Sequence, residues 1–124
     1  MLLCRGDSNM SDNTVVKQSN ISINVGLNAD KHPVSIDWSA EDSGLDGKKD
    51  AKAIMLALWD KPEKSTMRID LWTTEMTVEE MQFFMYETLA SMADSYERAT
   101  NDAPTTKAMR DFAAKFGKMA KVLK

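Results

Sequence analysis

Apolar and polar residues exchange along this chain in two rhythms, one of two residues and one near 3.6, and the change between them lays out the elements. Ile21, Ile23, Val25 and Leu27 alternate with Ser22, Asn24 and Gly26, the period of a half-buried strand. The polar turn "NADKHP" follows, after which Val34, Ile36 and Trp38 alternate with Ser35 and Asp37. That is a second strand, and the short polar link makes an antiparallel hairpin the expected pairing. "SAEDSGLDG" breaks the pattern. From about Lys48 to Trp59, Ala51, Ile54, Met55 and Leu58 recur at helical spacing and Pro62 closes the run, which predicts a first helix. Met67, Ile69 and Leu71 then alternate with Arg68, Asp70 and Trp72, a third strand with one apolar face.

The next signals are those of a helix start. Thr77 followed by Glu80 matches a capping box, in which the threonine oxygen accepts a backbone N–H three residues on and the glutamate reaches back. Met76 and Met81 flank the cap at the positions of a hydrophobic staple, and Glu79 and Glu80 sit in the first turn, where the helix dipole favours carboxylates. A stripe of Val78, Met81, Met85, Leu89, Met92 and Tyr96 continues this second helix to "ATND". Asp102 or Ala103 caps a third, with Pro104 in its first turn and Met109, Phe112, Ala113, Phe116 and Met119 as its stripe. The expected fold is α+β, in the order β-β-α-β-α-α: a small, mainly antiparallel three-stranded sheet, strands in the order two-one-three, with three helices on one face.

Length and composition agree with one domain. At 124 residues the chain is long enough for a core without staples, and residues 14–124 are expected to form a single unit behind a disordered extension, residues 1–13. Only Leu2 and Leu3 precede the single Cys4, too few for a signal peptide. Met10 opens "MSDN", which reads as an alternative start. With no apolar run near the length of a membrane span, a cytoplasmic location and no stable membrane insertion are expected.

The net charge of −3 hides an asymmetry. Residues 105–124 hold six lysines and arginines against Asp111 alone, a net of +5 that leaves −8 on the rest. Lys115, Lys118 and Lys121 therefore form a candidate partner surface. A basic amphipathic helix meets an anionic partner or the acidic body of its own chain, and the latter is the simpler reading.

Catalytic chemistry finds little support. The sequence has no glycine-rich phosphate loop, no Cys-x-x-Cys and no metal-spaced histidine pair; its one histidine, His32, falls in a turn. The carboxylate pairs Glu41–Asp42 and Glu79–Glu80 lie beside turns and helix starts. No enzyme, cofactor, metal or nucleic-acid partner is expected. The polar sheet face is more informative. Ser22, Asn24, Ser35, Asp37, Arg68, Asp70 and Trp72 are expected to point outward together around Gly26. Cross-strand Asp and Arg pairs on a solvated surface are the plain reading; a binding patch anchored by Trp72 and Arg68, with Asp37 and Asp70, is the sharper one. Ten methionines, six of them on the helical stripes, suit gap-filling in a core. The same residues would suit a pocket between sheet and helices for a small ligand or lipid.

Five segments taken together resemble a known family: "VSIDWSAEDSG" (34–44), "LWDK" (58–61), "RIDLWTTEM" (68–76), "MADSYERATND" (92–102) and "MRDF" (109–112). Their combination is similar to the gliding motility-associated GldC family of the Bacteroidetes, over about residues 14–115. The resemblance implies a small, non-enzymatic cytoplasmic accessory or adaptor protein of gliding, a process linked to type IX secretion, acting through contacts with proteins of the gliding machinery. It implies no catalytic residues to carry over. A homo-oligomer remains open, since a free strand edge pairs readily across a two-fold axis.

Overall fold

A computed structural model describes residues 13–44 and 46–123; the expected N-terminal extension, Asn13 apart, and Cys4 lie outside the described residues. The chain forms two compact units, one of strands ending at Met76 and one of helices beginning at Thr77.

The first unit holds five strands: β1 (Ile21–Leu27), β2 (Pro33–Ala40), β3 (Lys49–Ala51), β4 (Ala53–Asp60) and β5 (Ser65–Trp72). β1, β2 and β3 make an antiparallel three-stranded sheet in that order, and β4 and β5 make a separate antiparallel ribbon. The β1–β2 hairpin forms as its alternation dictates. Ile23 faces Trp38 and Val25 faces Ile36, so that one side collects the apolar residues, with Ile36 only 2% exposed on the middle strand. Asn28 shapes the turn by accepting the backbone N–H groups of Asp30 and His32 on its side-chain oxygen. Gly26 lies close against Ser35 directly across the ladder: a Cβ there would meet the Ser35 hydroxyl, which would have to rotate away.

Three expectations are overturned. The helix assigned to residues 48–59 is instead β3 and β4, leaving two helices rather than three and the order β-β-β-β-β-α-α. The strand order two-one-three fails as well: β2, not β1, is central, and the strand at Met67–Trp72 pairs with β4. The cause is the run "AIMLALWD". It is apolar on both sides, so helical spacing and strand alternation fit it equally, and such runs cannot be separated by periodicity. Cross-strand partners decide. Ile54 faces Leu71, Leu56 faces Ile69 and Leu58 faces Met67, pairings that outweigh the helix preference of Ala, Leu and Met. Pro62 belongs to the hairpin turn, where Asp60 accepts the Glu63 N–H on its carboxylate at 2.9 Å and the Lys64 N–H on its carbonyl at 2.9 Å.

The second unit is a pair of helices, α1 (Val78–Thr100) and α2 (Ala103–Met119). The capping box at Thr77 is present in both directions: Thr77 Oγ1 accepts the Glu80 N–H at 3.0 Å and the Glu80 carboxylate accepts the Thr77 N–H at 3.1 Å. Thr77→Ala is expected to cost about 1 kcal/mol, visible as a lower thermal midpoint by circular dichroism, with Thr77→Ser near wild type.

Asn101, in the left-handed region at φ 55°, ends α1. Asp102 then caps α2, accepting the Thr105 N–H and the Tyr96 hydroxyl, contacts that hold its carboxyl below the usual range.

The buried faces of the helices match the expected stripes in part: Ala113 is buried and Met81, Met85, Leu89, Tyr96, Met109 and Phe116 are half-buried. The fully buried positions are small: Ala93 on α1, Thr106, Ala113 and Gly117 on α2. Val78, Met92, Phe112 and Met119 are exposed. At Gly117 an added Cβ would come within 2.9 Å of the Tyr86 ring, so the helices approach closely there. At Gly117 the close approach leaves no room for a larger side chain.

Candidate interaction surface

The ribbon is where exposed aromatic and charged side chains converge. Residues paired across an antiparallel ladder share a face, so the register sets Arg68 opposite Ala57, Asp70 opposite Met55, Trp72 opposite Ala53 and Trp59 opposite Thr66, all on one side. Trp59 is 68% and Trp72 57% exposed. Six residues along the strand separate their ladder rungs, a spacing of about 20 Å. Arg68 lies between them, and its guanidinium meets the Asp70 carboxylate through two contacts, Nη2–Oδ1 at 2.7 Å and Nε–Oδ2 at 3.3 Å. This pair runs along one strand and not across strands. At roughly half exposure it adds little to stability, but the two-point contact fixes the orientation of an otherwise mobile side chain.

The seven outward residues expected together are divided. Arg68, Asp70 and Trp72 share the ribbon face, while Ser22, Asn24, Ser35 and Asp37 share the polar side of the three-stranded sheet. Asp37 accepts the Asn24 side-chain amide at 2.8 Å and stands directly opposite Asp50. The division follows from β5 pairing with β4. Trp59 went unrecognised because its segment was read as helix, and a run that is apolar on both faces offers no alternation to correct that reading.

The basic end of the chain separates into paired and free charges. Arg110 bridges to α1 through Asp94 at 2.8 Å and Glu97 at 3.1 Å, and Lys107 pairs with Asp111 at 2.8 Å; these partners raise both cations' pKa values, chiefly by hydrogen bonding. Lys115 and Lys118 on α2 and Lys121 just beyond it are exposed and make no ion pair among the described residues. The helix pair also carries an open apolar groove of about 330 Å³, lined by Leu89, Met92, Thr105, Ala108, Met109 and Phe112. No helix among the described residues is long and apolar enough to cross a membrane.

These features define an α+β protein whose surface chemistry lies in an exposed aromatic ribbon and a helix pair. The model of the gliding motility-associated protein GldC-like family matches residues 33–122, and the chain belongs to that family. All five segments that carry the sequence resemblance fall within the match; β1 lies outside it. Neither the curated proteins nor the solved structures provide a match.

Proposed function

We propose that this chain is a non-enzymatic accessory protein of bacterial gliding motility, working in the cytoplasm through protein–protein contacts, and that a protein of the gliding machinery docks on the tryptophan face of the ribbon. Family membership supports the process. One observation supports the means: two tryptophans, each more than half exposed, flank an arginine held in place by its neighbour on a single ribbon face. Tryptophan and arginine are the residue types that most often dominate interface energetics, and an exposed apolar patch on a monomer commonly marks a binding site.

The test is affinity capture from the native cell with the wild-type chain and with Trp59→Ala/Trp72→Ala. A gliding component held by the wild type is expected to bind the double variant at least about tenfold more weakly, and cells carrying that variant to spread more slowly. Because both side chains are exposed, the melting temperature should stay within about 1–2 °C of wild type. Equal retention by both proteins would overturn the assignment of the docking face.

A further inference from the structure

β1 is an outer strand of the three-stranded sheet, with β2 on one side of it and no strand on the other among the described residues. The bonds at the two ends of its ladder fix which backbone groups face the open side. The Glu41 N–H donates to the Asn20 carbonyl at 3.1 Å and, at the turn end, the Asn28 N–H donates to the His32 carbonyl at 3.0 Å. Opposed residues of an antiparallel pair exchange both bonds or neither, in alternation. Asn20 therefore starts a series in which Ser22, Asn24 and Gly26 bond to β2, while Ile21, Ile23 and Val25 turn their N–H and C=O groups outward. These outward pairs recur every two residues, about 6.8 Å apart, and no backbone bond reaches them from that side among the described residues.

The two edges of the sheet are finished differently. β3 is three residues long and carries Lys49 and Asp50, the short and charged form that discourages strand pairing. β1, "ISINVGL", has seven residues with no charge and no proline, and its register is irregular only at Gly26/Leu27. An uncharged run of this kind aggregates if its edge is left open. Its apolar side is also partly open, with Ile21 59% and Ile23 38% exposed.

We propose that this edge receives an extended segment of a partner protein, which adds to the sheet as a further strand beside β1. The spacing of the outward groups selects a strand. A helix rises only about 1.5 Å per residue and occupies its own N–H groups, and a lipid or small ligand offers no such repeat. The side chains select its pattern: residues opposite Ile21, Ile23 and Val25 are apolar and cover that side, and those between are polar, beside Ser22 and Asn24. Main-chain bonds supply the affinity in this mode of recognition, so one edge is enough. A second copy is a poorer occupant, because a folded dimer needs about 1,000 Å² of contact and a single seven-residue edge supplies less. The tryptophan face of the β4–β5 ribbon takes no part, so the inference is independent of that docking role.

Amide exchange of the full chain, followed by NMR, tests it with an acetylated seven-residue peptide of alternating threonine and valine as the probe. In the free chain the Ile21, Ile23 and Val25 amides should exchange at least about tenfold faster than those of Ser22, Asn24 and Gly26 at every protein concentration. Millimolar peptide should slow the three fast amides at least about threefold and leave the other three unchanged. The same peptide N-methylated at every amide should have no effect, because it keeps the side chains and loses the donors. Ile23→Pro removes the middle outward donor, a change that an edge strand tolerates, and should abolish the slowing at Ile21 and Val25. Fast amides unmoved by the peptide overturn the proposal, as does equal slowing by the N-methylated peptide or in Ile23→Pro. Outward amides already slow in the dilute free chain overturn it by showing that the chain covers its own edge, and slowing that grows with protein concentration alone overturns it in favour of a second copy. If Ile23→Pro does not fold by circular dichroism, the two peptides on the wild-type chain decide.

Discussion

Ile36→Ala is expected to lower the free energy of unfolding by about 2–5 kcal/mol, the largest single effect in the strand unit. Ile36 is the largest buried aliphatic residue among the described residues at 2% exposure, and it sits on the central strand between Val25 of β1 and Ala51 of β3. Alanine removes three heavy atoms at a point flanked on one side by a residue that is already alanine, so the neighbours have little side chain with which to refill the space. The loss should therefore lie toward the upper part of the range. Against a typical stability of about 5–15 kcal/mol, that is a large fraction. Urea unfolding followed by tryptophan fluorescence reads it, since Trp38 lies on the same face two residues away. Ile36→Val, which deletes one methyl, should cost only about 0.5–1.5 kcal/mol. Equal midpoints for Ile36→Ala and wild type would show that the residue is not part of a cooperative core.

The two ribbon faces place separate demands on one short element. One face carries three apolar rungs, Ile54–Leu71, Leu56–Ile69 and Leu58–Met67. The tryptophan face offers two anchors about 20 Å apart and an oriented guanidinium, a surface that discriminates by shape and hydrogen bonding. Because strand side chains alternate, an element of eight residues per strand presents both at once.

What could be read from the sequence divides along the same physical lines. The β1–β2 hairpin, the strand at Met67–Trp72, the Thr77 capping box and the Asp102 cap all carry local signals, and each is where the alternation or the capping chemistry places it. "AIMLALWD" carries no local signal of its own, because a strand apolar on both sides has no polar phase to betray its period. Misreading it as helix also hid Trp59, and it left β5 with no partner except the wrong sheet, which grouped Asp37 with Arg68, Asp70 and Trp72. The helical stripes include Ala113, which is buried, but also the large residues Met92, Phe112 and Met119, which are exposed, and they omit Ala93, Thr106 and Gly117, which burial selects. Hydrophobicity marks residues that gain from burial; it does not show how close two helices come, and a close approach selects for small size.

That close approach makes Ala93→Leu the most damaging substitution expected in the helix unit. Ala93 has no exposed surface, and the buried residues of α2, Thr106, Ala113 and Gly117, are themselves small. Leucine is nearly as good a helix former as alanine, so the intrinsic helix term barely changes and the effect is one of packing. Forcing three extra heavy atoms into a filled seam costs about 1–3 kcal/mol, occasionally more. The residue that follows supplies a second readout. Asp94, with Glu97, holds Arg110 of α2 at 2.8 and 3.1 Å, and a wedge at Ala93 separates the partners of that bridge. Arg110→Ala alone removes an exposed ion-pair cluster and is expected to cost no more than about 1 kcal/mol. Combined with Ala93→Leu it should cost less still, because the leucine has already opened the bridge, giving a coupling of at least about 0.5 kcal/mol in a double-mutant cycle. Thermal unfolding of the four proteins measures both quantities. Additive effects would mean that the bridge survives the wedge, and an Ala93→Leu chain as stable as wild type would mean that the seam at Ala93 has room to spare.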